Sequence, residues 1–299
     1  MRITLSGATG FLGTHLMSRL AGEGHEVRLL SRKPITNLPP NVEIYLWNPP
    51  RVEPPLGAFE GSQAVIHLAG ASVNQRWTPE AKSLLRSSRL DSTRSIVHAL
   101  STLSRRPDFL LSASAIGYYG DRGAELLTEA SGAGDGFLAD LSVEWEREAN
   151  LARALGMRVN CLRTGVVLGT GGGALPSLLP VFRLGGGGKL GNGEQWMSWI
   201  HLEDWTSSVI RLLKNDFPSG PINLTAPEPV RNSEFTSILG KVLQRPAFLT
   251  VPEFALRWIL GEMSSVILAS QRVIPESLSK SGFDFRHPRL ESALRSLLQ

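Results

Sequence analysis

The segment Arg2-Ile-Thr-Leu-Ser-Gly-Ala-Thr-Gly-Phe-Leu-Gly13 decides the fold of this chain. Its first residues form a short, mostly apolar run that predicts a strand, and Gly7, Gly10 and Gly13 predict a turn that opens a helix. Residues 26–30 predict a second strand. A strand, a glycine turn, a helix and a second strand within about thirty residues are typical of a dinucleotide-binding unit.

Each of these glycines has its own physical task. Gly7 permits a turn that a Cβ would obstruct, Gly10 lets the backbone approach a pyrophosphate, and Gly13 lets the helix pack close to the strand. The free backbone N–H groups at the start of the helix, together with the helix dipole, then bind the phosphates. The alternative is a glycine-bearing turn without a ligand, but the flanking strands and helix favour cofactor binding.

The second predicted strand ends in Ser31-Arg32-Lys33, where an NAD-binding protein usually carries an acidic residue for the ribose hydroxyl. A carboxylate there would repel a 2′-phosphate, whereas a guanidinium can bind it through two parallel hydrogen bonds. The basic pair therefore predicts NADP(H) in preference to NAD(H). The alternative is a solvated basic turn that binds nothing.

The composition is that of an ordinary globular protein. The chain has 299 residues, 42% of them hydrophobic, and a net charge of +4 from 31 basic and 27 acidic residues. Such a small excess without a basic tract argues against a nucleic-acid partner. No apolar window approaches membrane-spanning length, so we expect no membrane partner. The single cysteine, Cys161, allows no intramolecular disulfide and indicates a reducing, cytoplasmic location.

Further apolar runs predict buried parallel strands at residues 64–70, 108–112 and 158–164. Strands alternating with helical patterns predict an α/β fold with a Rossmann-type doubly wound parallel sheet. After Gly165 the chain becomes glycine-rich and lacks a second nucleotide motif. We therefore expect an NADP(H)-binding domain at residues 1–165 and a smaller, mixed substrate-side region at residues 166–299, some of whose segments return to the sheet.

The spacing of the histidines predicts no metal site. His67 lies inside an apolar run and is expected to be a hydrogen-bonded core residue. Thr78 followed by Pro79 predicts the start of a long helix, and another helix is expected over residues 137–155, capped by Gly156.

Taken together, these motifs resemble the extended short-chain dehydrogenase/reductase superfamily, which includes the NAD-dependent epimerases and dehydratases. Within it the chain is most similar to the atypical, epimerase-like YfcH-type family. The motifs that carry the resemblance are Gly7-x-x-Gly10-x-x-Gly13, Val65-Ile-His-Leu-Ala-Gly70, Ser88-Arg89-Leu90, the segment from Ser114 to Asp121, Trp145-Glu146, Arg163-Thr-Gly-Val-Val-Leu-Gly169, the segment from Gly193 to Asp204, and Gln271-Arg-Val-Ile-Pro275.

The resemblance implies that NADP(H) contacts the glycine turn, the end of the second strand, the segment after the next buried strand, and one arginine. The implied cofactor-binding residues are Gly7, Thr9, Gly10, Phe11, Leu12, Gly13, Ser31, Arg32, Lys33, Leu68, Ala69, Gly70 and Arg89. The resemblance also implies a structural strand-to-helix junction at His201 and Asp204. It implies no particular substrate, and the oligomeric state stays open.

The proton-transfer pair of catalytic short-chain reductases, Tyr-x-x-x-Lys, is absent from the whole sequence. Where the family places that pair, this chain has Phe137 and Leu141, which cannot exchange a proton. Ser114 stands at about the position of the serine that orients the substrate. Tyr118 and Tyr119 could supply a displaced phenol, but packing as an aromatic wall is the favoured interpretation.

Two functions fit this sequence. The first is an NADP(H)-binding, epimerase-like oxidoreductase of unknown small-molecule substrate, with Ser114 and Tyr118 as candidate catalytic residues. The second is an NADP(H)-binding sensor or scaffold that has lost turnover, because Phe137 and Leu141 replace the proton-transfer pair.

Overall fold

A computed structural model of the chain describes residues 1–49, 51–214 and 216–299. The described strands are β1 Arg2–Ser6, β2 Glu26–Ser31, β3 Val42–Leu46, β4 Ala64–His67, β5 Phe109–Ala115, β6 Leu126–Leu127, β7 Arg158–Thr164, β8 Val166–Leu168, β9 Gly188–Leu190, β10 Trp196–Met197, β11 Trp199–His201, β12 Gly220–Leu224, β13 Val230–Arg231, β14 Leu249–Val251 and β15 Arg272–Val273. The described α-helices are α1 Phe11–Gly22, α2 Pro79–Thr102, α3 Phe137–Asn150, α4 Leu175–Arg183, α5 Leu202–Arg211, α6 Asn232–Leu243, α7 Glu253–Leu260, α8 Ser264–Leu268, α9 Glu276–Lys280 and α10 Leu290–Leu298.

Within the described residues, seven strands form one parallel sheet in the order β12-β7-β5-β4-β1-β2-β3. The chain first builds outward from β1 through β2 to β3. It then returns to the other side of β1 with β4 and continues through β5 and β7 to β12. The order therefore reverses between β1 and β4, where open α/β sheets bind ligands. This topology confirms the predicted Rossmann-type fold.

Helices cover both faces of the sheet, which explains why its central strands are apolar throughout. Ile66 of β4 packs into a core that contains Leu16 of α1 and Trp205 of α5. Its neighbour Val65 points to the opposite face and packs with Ile96 of α2 and other residues of α2 and α3. Alternate residues of one strand thus serve two separate cores.

The region after residue 165 contributes to the sheet, as expected. Strand β12 pairs with β7, and helix α5 packs against α1. The rest of this region has a core of its own, in which Phe182, Phe235 and Leu294 surround Trp199. The division at residue 165 stays a prediction, but the return of one strand and one helix to the sheet is confirmed.

Two predicted helix boundaries can be compared with the structure. Thr78 caps α2 by accepting a hydrogen bond from the backbone N–H of Ala81 at 3.2 Å, as predicted. Helix α3 is α-helical only to Asn150, whose side chain donates to the carbonyl of Glu146, and the chain continues as a 3-10 helix to Leu155. Gly156 adopts φ 84° and ends it, as expected.

The helices in the described ranges are all too short or too polar to cross a lipid bilayer.

Candidate cofactor and substrate site

The glycine turn after β1 is closely packed at Gly7 and Gly13 and open at Gly10. A Cβ on Gly7, which has φ +77°, would lie 2.7 Å from the carbonyl carbon of Leu68. A Cβ on Gly13 would lie 2.1 Å from the carbonyl oxygen of Gly7. At Gly10 the single neighbour would be that same oxygen, at 3.4 Å. The first and third glycines are therefore required by packing, and the second leaves space beside the helix.

The start of α1 is suited to an anion. Its N-cap, Gly10, has no side chain to satisfy the backbone N–H groups of the first turn, and that turn contains no acidic residue. Thr9 and Gly10 are exposed, and Phe11 and Leu12 are half-buried. The N-terminal backbone N–H groups and the helix dipole are thus available to an anion.

The register of the sheet brings three strand ends together at this site. Ser6 of β1 pairs with Leu30 of β2 on one side and with His67 of β4 on the other. The segments that follow, 31–33 and 68–70, therefore leave the sheet beside the glycine turn. Predicted cofactor residues that are distant in sequence therefore lie together at the carboxyl ends of these strands.

Ser31, Arg32 and Lys33 form a small turn at the end of β2. The hydroxyl of buried Ser31 donates to the carbonyl of Lys33 at 2.7 Å and accepts from its backbone N–H at 3.3 Å. Arg32 and Lys33 are exposed, and neither forms a salt bridge with the residues that the structure describes. Two cations without a carboxylate partner therefore stand where the adenine ribose of a dinucleotide is expected.

A second glycine-rich loop, at residues 169–173, packs around Phe11 at the start of α1. A Cβ on Gly172 would lie 2.7 Å from Cγ of Phe11, and one on Gly169 would lie 2.6 Å from its Cζ. The glycines of this loop are evident in the sequence, but their contact with Phe11 was not predicted. The loop thus connects the C-terminal region directly to the start of α1.

Arg89 of α2 lies against the segment 68–70. Its guanidinium donates to the backbone carbonyls of Leu85 and Ala71, and a Cβ on Gly70 would lie 3.4 Å from Cζ of Arg89. It also lies over the ring of Trp145, 5.1 Å from the ring centre. Burial lowers the pKa of Arg89 to about 10, so the side chain remains charged at neutral pH.

A cavity of about 890 Å³ lies at the carboxyl ends of the central strands, and we call it the substrate cavity. The ends of β5 and β7 contribute Ser114 and Thr164, and the start of α3 contributes Phe137 and Leu141. Ser114 thus lines this cavity, and its role in orienting a substrate stays a prediction.

Ser114 belongs to a buried polar network that the sequence analysis missed. Its hydroxyl donates to Oε1 of Glu146 at 2.7 Å. Arg163 holds the same carboxylate through two hydrogen bonds, from Nε at 2.8 Å and from Nη2 at 2.9 Å. Burial alone would lower the pKa of Arg163, but the hydrogen bonds and charge of Glu146 raise it overall, so the guanidinium stays charged. The motif Trp145-Glu146 and the position of Arg163 were noted, but their contact was not.

The two tyrosines after Ser114 lie on the far side of Arg163. Tyr119 is fully buried; its hydroxyl donates to Asn223 at 2.7 Å and accepts from Arg163 at 3.0 Å. Burial raises its pKa. The ring of Tyr118 covers the Arg163 guanidinium at 3.4 Å, and Tyr118 is not among the described residues that line the substrate cavity. Its catalytic role stays a prediction, and its position favours the aromatic-wall alternative.

The side chains at the expected proton-transfer positions face the substrate cavity. Phe137 makes an edge-to-face contact with Trp77, with ring centres 5.2 Å apart, and Leu141 packs in the same apolar cluster as Trp145. These positions therefore build an apolar wall where catalytic relatives carry a phenol and an ammonium group.

His67 is a core residue, as expected. Its Nδ1 is 2.6 Å from the hydroxyl of Ser6, and its Nε2 is 3.1 Å from that of Ser92. Burial lowers its pKa to about 3, so the ring is neutral. Both ring nitrogens are satisfied by hydroxyl groups.

One cluster of metal-ligating side chains was not foreseen. His201, Glu203 and His287 place their ligand atoms within 4.8 Å of one another, and the two imidazoles stack with centres 3.9 Å apart. Glu203 already pairs with Arg286 and His287, and Asp204 accepts the backbone N–H groups of both of those residues at 2.9 Å. The cluster holds residues 286–287 onto the start of α5, which agrees with a structural junction.

Comparisons with known proteins agree with this geometry. The model of the NAD dependent epimerase/dehydratase family matches residues 3–224, and that of a domain of unknown function, DUF1731, matches residues 251–297. The chain is 39% identical to the epimerase family protein SDR39U1 homolog, chloroplastic, of Arabidopsis thaliana, across 100% of this chain and 87% of that protein.

Two solved structures are also similar. The human epimerase family protein SDR39U1 (isoform 2), determined with NADPH, has a TM-score of 0.87 and 31% identity, across 99% of each chain. The nucleoside-diphosphate sugar epimerase of Corynebacterium glutamicum has a TM-score of 0.81 and 33% identity, across 100% of this chain and 58% of that chain. With a parallel sheet that reverses at the glycine turn and a family match across most of its length, the chain belongs to the NAD dependent epimerase/dehydratase family.

Proposed function

We propose that this protein is an NADP(H)-dependent oxidoreductase that acts on a small molecule in the substrate cavity. The observation that carries the proposal is the exposed pair Arg32 and Lys33, which lies beside the glycine turn without a carboxylate partner in the described residues. Each charge-assisted hydrogen bond from this pair to a 2′-phosphate contributes about 1.5–3 kcal/mol. The human relative determined with NADPH supports the same cofactor preference.

NADP(H), when bound, supplies or accepts a hydride. Around it, the first backbone N–H groups of α1 bind the pyrophosphate, and Arg32 and Lys33 bind the 2′-phosphate. Phe137 and Leu141 form an apolar part of the cavity wall. Ser114 orients a substrate oxygen through Oγ. When a substrate hydroxyl is oxidised, Oγ takes the hydroxyl proton while its own proton passes to the carboxylate Oε1 of Glu146, to which it is hydrogen-bonded, and in reduction the same two transfers run in reverse.

The second candidate function is a cofactor-binding sensor or scaffold without turnover. The observation that favours it is the apolar wall itself, because neither Phe137 nor Leu141 can exchange a proton. The nucleoside-diphosphate sugar named for the Corynebacterium relative is one substrate class to be tested under the first function.

Hydride transfer separates the two functions. The purified protein is mixed with NADPH and a panel of aldehydes, ketones, enones and nucleoside-diphosphate sugars, and cofactor oxidation is followed by absorbance. We expect saturable turnover with one class, and a loss of about 100-fold or more in Ser114→Ala. Ser112→Ala, a buried serine on the same strand, is the matched control and should retain the rate. NADPH binding without turnover on any substrate would favour the sensor.

The proposal places the protein in a reducing cytoplasm. Its one cysteine, Cys161, is buried, and burial raises the pKa of its thiol to about 12, so it is suited to packing rather than to redox chemistry.

A further inference from the structure

We propose that the ligand of the substrate cavity is a neutral, largely apolar molecule with a flat ring and one polar end, and not a nucleoside-diphosphate sugar. This inference rests on the proposed function, which places the nicotinamide end of the cofactor beside Ser114.

Part of the cavity wall is apolar and aromatic. Trp77, Phe137, Leu141 and Trp145 belong to one apolar cluster that faces the cavity. Leu141 and Trp145 are almost fully buried, so their surfaces are already held in place by packing. Aromatic rings held in a fixed arrangement favour flat apolar ligands. Such a ligand displaces water from the wall and leaves no polar group without a hydrogen-bond partner.

The charge of the cavity lining also disfavours a diphosphate. The charged side chains that line the cavity are Arg89, Asp121, Asp135, Arg257 and Glu262, which gives two positive and three negative groups among the described residues. A diphosphate brings two further negative charges. With the pairs Lys82–Glu262 and Arg257–Glu253 set aside, the lining keeps one cation, Arg89, against two carboxylates, Asp121 and Asp135, which would repel a diphosphate.

The cations at the cavity already have partners. The guanidinium of Arg89 donates to two backbone carbonyls, of Ala71 and Leu85. Arg257 is bound to Glu253. Near the same wall, Lys82 pairs with Glu262. Two of the five N–H groups of Arg89 are thus already used, and Arg257 has a carboxylate partner, which leaves few donors for a diphosphate.

The position of the polar groups also bears on the ligand. Ser114 lies near the end of β5 and lines the cavity. Its hydroxyl, which donates to Glu146 here, can rotate to donate to an oxygen of a ligand in the cavity. On the approach side, helix α7 contributes Arg257 to the lining and exposes Phe254 and Trp258 by 75% and 83%. A ligand with one polar end and an apolar body matches this distribution.

The test measures binding without turnover. The protein is saturated with NADP+, which cannot reduce a carbonyl, and titrated calorimetrically with 9,10-phenanthrenequinone as the flat neutral probe and with UDP-glucose as the diphosphate sugar. We expect the quinone to bind and UDP-glucose to give no heat of binding. Tryptophan fluorescence gives a second readout, because Trp77 and Trp145 line the cavity and should be quenched by the quinone.

The variant Phe137→Asn removes one face of the wall at a half-buried position at the start of α3, where asparagine is tolerated. It should weaken quinone binding at least about tenfold, since burial of an aromatic ring is lost. The control Phe248→Asn makes the same change at an exposed ring outside the cavity and should leave the affinity unchanged.

Binding of UDP-glucose but not of the quinone would overturn the inference, as would unchanged quinone affinity in Phe137→Asn. The parallel NADP+ titration keeps the two proposals distinguishable. Failure of NADP+ to bind would overturn the proposed function, whereas intact NADP+ binding with no quinone binding would overturn this inference alone.

Discussion

Ser114 and Arg163 share one carboxylate: Oε1 of Glu146 lies 2.7 Å from the hydroxyl of Ser114 and 2.8 Å from Nε of Arg163. The serine thus connects the substrate cavity to a buried ion pair, whose side chains are 4% and 10% exposed. A buried ion pair is costly to form, but removing one partner costs more, because the other charge is left buried and unpaired. Replacement of either Glu146 or Arg163 should therefore destabilise the protein.

Glu146→Ala should therefore destabilise the protein by about 3–5 kcal/mol, because it leaves the Arg163 guanidinium buried without its partner. Urea unfolding measures this change in free energy. Glu253→Ala, which breaks the exposed ion pair with Arg257, is the control and should cost at most about 1 kcal/mol. Equal losses in the two variants would contradict the role of the network.

Gly13→Ala should disrupt the cofactor site. The added Cβ would lie 2.1 Å from the carbonyl oxygen of Gly7, so α1 must move away from the turn that it packs against. We expect a loss of about 1–3 kcal/mol in unfolding free energy from overpacking, and weaker NADPH binding by calorimetry.

Gly22→Ala makes the same substitution in the same helix, where the added Cβ meets nothing within 4 Å. It should be neutral, or stabilising by up to about 1 kcal/mol, and should leave NADPH affinity unchanged. If both variants bound NADPH like the wild-type protein, close packing of the helix on the turn would not be needed for the site.

The double variant Arg32→Ala/Lys33→Ala should lose its preference for NADPH. It removes one to three charge-assisted hydrogen bonds to the 2′-phosphate, each worth about 1.5–3 kcal/mol, so selectivity over NADH should fall by orders of magnitude. The control is Arg105→Ala/Arg106→Ala, another exposed basic pair, which should keep the preference. An equal fall in both double variants would point to net charge as the cause.

The buried histidines should make the protein sensitive to mild acid. Burial lowers the folded-state pKa of His67 to about 3, and burial together with His287 lowers that of His201 to about 4, both from 6.5. The unfolded chain therefore takes up protons first as the pH falls below 6.5. Stability should decline from there toward pH 4, by about 1.4 kcal/mol per pH unit for each histidine.

Urea unfolding of the wild-type protein and of His201→Gln at several values between pH 7 and pH 4.5 checks this expectation. The variant should lose the His201 contribution, so its stability should fall less steeply with acid than that of the wild-type protein. Parallel profiles for the two proteins would show that His201 is not held neutral by the fold.

Much of the fold could be predicted because its signals are local. The residues of β1, the glycine turn and α1 specify their own conformations, and the apolar run before Gly70 predicts a strand covered on both faces. His67 could be recognised as a core residue because it interrupts that run. Each of these inferences needs only neighbouring residues.

The interior of the site could not be predicted in the same way. Glu146 and Arg163 lie on different elements, α3 and β7. Phe11 contacts a glycine loop about 160 residues further along the chain. No local sequence pattern predicts which distant residues will come into contact. Periodicity indicates that a residue is buried but does not name its partner. Tyr118 illustrates this, since its neighbour Ser114 lines the cavity whereas Tyr118 covers Arg163.

The measurement that tests the central claim most directly is the ratio of the dissociation constants of NADH and NADPH for the purified protein, determined by titration calorimetry in one buffer. The account predicts that NADPH binds at least about 100-fold more tightly, from two charge-assisted hydrogen bonds of Arg32 and Lys33 to the 2′-phosphate. Equal affinities, or tighter binding of NADH, would contradict it.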